Sequence, residues 1–116
     1  IFSLLDQESA TGLLLQQLEQ HYQKQDLEHF WFVWQRAKSL HQDQNITEMA
    51  VLLLQHAYAS LDLQQDQKKF ALLKERAQWL ILEAYPIDFG GLKPFFSISE
   101  WKQLIQFNQY KQKLIA

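Results

Sequence analysis

The chain has 116 residues, 47% of them hydrophobic and 21% charged, a balance expected of a single globular domain over 1–116 rather than a disordered tail. Its formal net charge of −2 counts against a dedicated nucleic-acid binder, which needs a basic excess to displace counterions from phosphates. The absence of cysteine excludes disulfides and thiolate metal sites, and no apolar run reaches the roughly 18–20 residues of a membrane span. Three Gly and two Pro leave few turn residues, which favours long helices over short strands. The chain opens on Ile1 rather than Met, so a processed product or a fragment of a longer protein is expected. Cytosolic and periplasmic proteins can both lack Cys, and the cytoplasm is the favoured compartment.

Residues 1–25 predict a first helix, with a break between Gln7 and Gly12 where the glycine costs about 1 kcal/mol relative to Ala. Residues 26–41 predict a second helix with Asp26 as N-cap, and Leu27, Phe30, Trp31, Trp34, Ala37 and His41 follow helical spacing. Its apolar run Phe30–Trp34 exceeds what one helix face can bury. Either this helix is the central post of the fold, or Phe32 and Val33 face a partner. A third helix is expected over about 46–61, with Asn45 and Glu48 at capping-box spacing and with Val51 and Leu52 widening its apolar stripe. A fourth should run to Tyr85, because Pro86 pushes the residue before it out of the α region.

The loop 86–97 contains Pro86, Gly90, Gly91 and Pro94, yet also Ile87, Phe89, Leu92, Phe95 and Phe96. Five large apolar residues in one loop predict that it packs across the bundle. Ser97 and Glu100 form a capping box, with Phe96 and Trp101 as a hydrophobic staple, and the last helix covers about 98–114. Lys111 and Lys113 suit the C-terminal end of that helix and its dipole. Short links between helices favour antiparallel neighbours. The expected fold is all-α, a compact bundle of about five helices with a packed Pro/Gly/Phe loop before the last.

For function, the residues point first to a non-catalytic protein-interaction module. Trp31, Phe32, Val33 and Trp79, with Phe89 and Phe95 from the loop, are its candidate contact surface. The partner would be another protein or a second copy of this chain. Lys68, Lys69, Lys74 and Arg76 form a basic cluster able to meet an anion, although Asp66 and Glu75 interleave with it. Asp26 and His29 stand at i, i+3, but the further Glu and His residues of a carboxylate-bridged metal bundle are missing, so neither metal nor cofactor is expected.

Arg36 and His41 supply the second functional class, a nucleic-acid-associated protein. Their offset in RAKSLH resembles the Arg-x4-His signature of the HEPN family of small helical ribonucleases. That resemblance implies joint action of the two side chains on a phosphodiester. The family's usual polar residue after the Arg is Ala37 here, and a five-residue offset turns two side chains apart on a regular helix.

Overall fold

Hydrogen-bonding side chains at the ends of the helices set the course of this chain. The computed structural model describes residues 2–115, with side chains described for 12–114. Five α-helices are present among them: α1 (Phe2–Gln23), α2 (Leu27–Arg36), α3 (Gln44–Ala59), α4 (Gln67–Glu83) and α5 (Ile98–Ile115). Two 3₁₀ segments, Lys38–Gln42 and Gly90–Phe95, join them. The expected all-α bundle is the observed fold.

The first helix runs unbroken through Gly12, where an added Cβ would meet nothing within 4 Å. A single glycine weakens a helix without ending it when long flanks propagate the hydrogen bonds. What ends α1 is a Schellman turn: Asp26 N–H donates to the His21 carbonyl at 2.9 Å and Gln25 N–H to that of Tyr22 at 3.0 Å. Gln25 takes the left-handed conformation, φ 56°, a position usually given to glycine. Asp26 then caps α2 as expected, its carboxylate accepting from the His29 N–H at 3.2 Å.

The second helix stops five residues short of its expected end at His41, because Ala37 leaves the helical region. Trp34 is fully buried, and its indole Nε1–H donates to the Leu40 carbonyl at 3.2 Å. His41 Nε2 lies 2.9 Å from the Trp34 carbonyl, one of the acceptors freed at the helix end. The 3₁₀ segment is thus tied to α2 at both its polar ends. Asp43, not Asn45, caps α3: its Oδ1 accepts from the Ile46 N–H at 3.1 Å. The buried Thr47 hydroxyl donates to the Asp43 carbonyl at 2.9 Å, so no polar atom is stranded there.

The fourth helix ends at Glu83, two residues before the expected Tyr85. Tyr85 N–H instead donates to the His41 carbonyl at 3.0 Å, binding this exit to the 3₁₀ segment. The terminal carbonyls of α4 are capped from another helix. Lys111 Nζ lies 3.2, 3.0 and 2.7 Å from the carbonyl oxygens of Ile81, Leu82 and Ala84. Sequence reading assigned Lys111 to its own helix end; the structure assigns it to the dipole of α4. Partial burial pulls its pKa below the ordinary lysine value.

The 86–97 loop packs inward as expected. Phe89, Leu92 and Phe95 are buried, and the Phe95 ring lies 5.0 Å from Tyr58 and 5.8 Å from Phe70. The capping box forms, with Glu100 N–H to Ser97 Oγ at 3.2 Å and Ser97 N–H to Glu100 Oε1 at 3.0 Å. Phe96 stacks on Trp101 at 6.2 Å, completing the staple. The molecule measures 52 × 35 × 18 Å, so it is less than two helix diameters thick and its helices keep one face in solvent.

Replacing Lys111 with Ala should lower stability by about 1–3 kcal/mol, since three helix-end carbonyls lose a charged donor. The exposed neighbour Lys113→Ala should stay within about 0.5 kcal/mol of wild type. Urea unfolding of both variants checks the difference.

Candidate protein interface

The aromatic residues of α2 divide between core and surface. Trp34 is interior, and Trp31 and Trp79 meet it edge-on at 5.6 and 5.5 Å. Trp31 and Trp79 also meet each other at 5.6 Å, and His41 approaches Trp79 at 5.0 Å. These rings cover one another, so Trp31 and Trp79 are only partly accessible. Val33 is half-buried. Phe32 is 55% exposed, with the Arg36 guanidinium 4.2 Å above its ring. Phe89 and Phe95 cannot serve as contact residues, because the loop turns both into the interior; each is at most 2% exposed. An apolar loop next to an incomplete bundle core gains more from burial than from exposure.

Two cations of the basic cluster are committed to carboxylates of this chain. Arg76 makes a bidentate pair with Glu28 at 2.8 and 2.9 Å and sits 5.4 Å from the Trp31 ring. The Arg76 hydrogen bond holds the Glu28 pKa below its ordinary range. Lys74 pairs with Glu100 at 3.0 Å. Lys68 and Lys69 are exposed on the first turn of α4. The anion-binding group inferred from sequence is therefore two ion pairs plus two surface lysines.

Arg36 and His41 engage different groups. The helix breaks between them at Ala37, Arg36 lies over Phe32, and His41 is bonded to the Trp34 carbonyl within the aromatic cluster. Asp26 and His29 bond each other at 2.6 Å on an exposed turn. Among the described residues no group of three or more His, Asp or Glu is placed to hold a metal ion, and no helix is long and apolar enough to cross a membrane.

The surface missed by sequence reading lies on α3. Ile46, Ala50, Leu53 and Leu54 take its core face, and Val51 is buried beside them. Leu52 does not widen that stripe: it points outward, 49% exposed. Three shallow depressions of about 330, 340 and 190 Å³ meet at this side chain. One lies against the 87–91 loop, the other two against α1 at Tyr22. The loop presses close to α3, since the Gln55 side chain fills the space a Cβ on Gly91 would take. Four carboxylates line the combined surface, Glu19, Asp43, Glu48 and Asp88; among the described residues no Lys or Arg lines it. The signal available in sequence was the helical angle: Leu52 falls on the side of α3 opposite Ile46 and Ala50. A second apolar row, Phe107, Tyr110 and Leu114, is exposed on α5.

Comparison with protein-family models, curated proteins and solved structures gives no match to this chain.

The Lys74–Glu100 pair carries a pH signature. The backbone N–H of Ser97 first, then Lys74, lowers the Glu100 pKa from 4.5 to about 2. A carboxylate whose pKa is lower when folded stabilises fully above its unfolded value and loses that effect as pH falls. Glu100→Gln should therefore be less stable than wild type at neutral pH. The gap in urea midpoints should close as pH falls from 4.5 to about 2.

Proposed function

We propose that this domain is a non-catalytic helical interaction module that docks a protein partner against the outward face of α3. The observation that carries this reading is Leu52, a large aliphatic side chain half in water at the junction of three depressions. An apolar residue standing in a concavity between a helix and a loop has the form of an interface anchor. Met49 and Tyr22, both half-buried, extend the apolar area beside it. The 87–91 loop takes part as a wall of the site, while its neighbouring phenylalanines serve the core. Phe32 and the α5 row offer further apolar contact area, and a second copy of the chain is one partner such surfaces could take.

The nucleic-acid alternative draws less support from this geometry. Its basic cluster spends Arg76 and Lys74 on Glu28 and Glu100, and Arg36 and His41 engage different partners.

A photo-crosslinking amino acid in place of Leu52, introduced into the protein in its native cell, tests the reading. Irradiation should give a discrete protein adduct from position 52 and none from a control at position 68, on the exposed first turn of α4. An adduct with nucleic acid, the same adduct pattern from both positions, or no adduct from 52 would overturn it. A crosslinked dimer would identify the partner as a second copy.

A further inference from the structure

The charge around Leu52 is one-sided in a way the rest of the molecule is not. The chain as a whole is nearly balanced, with 11 Lys and Arg against 13 Asp and Glu. On α4, Arg76 pairs with Glu28 of α2 and Lys74 with Glu100 of α5. Around α3 the lining side chains of Asp, Glu, Lys and Arg type are all carboxylates, with the imidazole of His56 beside them. They come from three stretches of chain. Glu19 is on α1, Asp43 and Glu48 are at the start of α3, and Asp88 precedes the second 3₁₀ segment. Leu52 lies among them, and the depressions on both sides of it give apolar side chains somewhere to go.

Two of the carboxylates have structural duties. Asp43 caps α3, and Asp88 accepts from the Gly90 N–H at 2.9 Å. Glu48 accepts only from the exposed Gln44 side chain, at 3.2 Å, and Glu19 is exposed on α1. Neither is held by a cation of its own chain among the described residues. Negative groups gathered without counter-charges repel one another and favour an incoming cation.

We propose that the α3 face takes a basic amphipathic helix from a partner protein, its apolar side chains seated beside Leu52 and its Lys or Arg residues facing Glu19, Glu48, Asp43 and Asp88. This rests on the interaction-module reading and adds the chemistry of the partner. The surface runs along α3 from Asn45 to His56, eleven helical rises or about 17 Å. A partner helix of about three turns matches that length, with apolar anchors at i, i+3 or i+4, and i+7. The apolar contacts supply affinity, and the carboxylates set the sign of the partner and speed its approach.

The test uses ¹⁵N-labelled full chain and three 14-residue synthetic helices. One has a Leu stripe and Lys on its flanks, a second has the same stripe with Glu for Lys, and a third scrambles the Leu/Lys sequence. The Leu/Lys helix should shift amide signals of α3, the end of α1 and residues 87–91. Its binding should weaken with added salt, by about three- to tenfold in the double variant Glu19→Gln/Glu48→Gln. Leu52→Asp should also weaken it, and that variant should unfold at the wild-type urea midpoint because the side chain is not in the core.

Equal binding of the Glu helix or of the scrambled peptide would overturn the proposal. So would shifts centred on another face, or unchanged affinity in the double variant. The crosslinker at position 52 separates the two levels. If it captures a protein while the Lys helix fails to bind, the basic partner is wrong and the interaction reading stands. If both fail, both fall.

Discussion

Trp34 donates its indole N–H to the carbonyl of Leu40, and His41 bonds back to the carbonyl of Trp34. Those two contacts decide where α2 ends, and much else depends on that ending. A helix continued to His41 would carry Leu40 away from the core; the 3₁₀ segment returns it, and Leu40 is only 7% exposed. The same segment brings Asp43 to the start of α3 and offers the His41 carbonyl to Tyr85 at the exit of α4. One buried aromatic residue thereby sets the relation of α2, α3 and α4. Three Trp rings and the His41 ring, packed edge-on, supply the apolar burial that fixes it in place.

The bundle is only 18 Å thick, so its helices keep one side in water. α3 contacts α1, α2, α4 and both 3₁₀ segments, yet still turns one side to water. Most of the exposed polar residues on that side need no partner. Leu52 does not fit that pattern, and neither does the run of carboxylates around it. The proposed interface rests on this concave, apolar and acidic outward side of a core helix. Asp43 and Asp88 serve the fold, but Glu19 and Glu48 meet no cation of this chain among the described residues. Arg76 and Lys74, by contrast, are paired at close range with Glu28 and Glu100.

Much of the fold was legible in the sequence because local signals agreed with tertiary ones. The Ser97–Glu100 box, the Phe96–Trp101 staple, the Asp26 cap and the inward-packing loop each rest on residues within a few positions of one another. What could not be read depends on long-range partners. The split of α2 needs Leu40 and His41 to find Trp34, and nothing in RAKSLH breaks a helix by propensity. The role of Lys111 needs the end of α4, some thirty residues away in sequence. The Schellman turn at Gln25 lacks the usual glycine. The candidate site was legible in part. Periodicity leaves Phe32 open between core and partner, and the fold exposes it, whereas Phe89 and Phe95, candidates for the same surface, lie in the core. Leu52 was absorbed into the core stripe because a run of leucines hides which one points away. The acidic lining comes from three separate stretches of chain, and only the fold unites them.

The Trp34 indole hydrogen bond holds the α2–α3 reversal. Amide hydrogen exchange of Trp34→Phe tests it directly, since the substitution keeps an aromatic ring in the core and removes the N–H donor. Faster exchange is expected at Leu40, Asp43 and Tyr85, whose N–H groups bond within or to the 3₁₀ segment. That acceleration should exceed the general change at the core amides of Leu53 and Leu54. Equal acceleration at both sets would mean that the substitution merely leaves a cavity, and would contradict the claim.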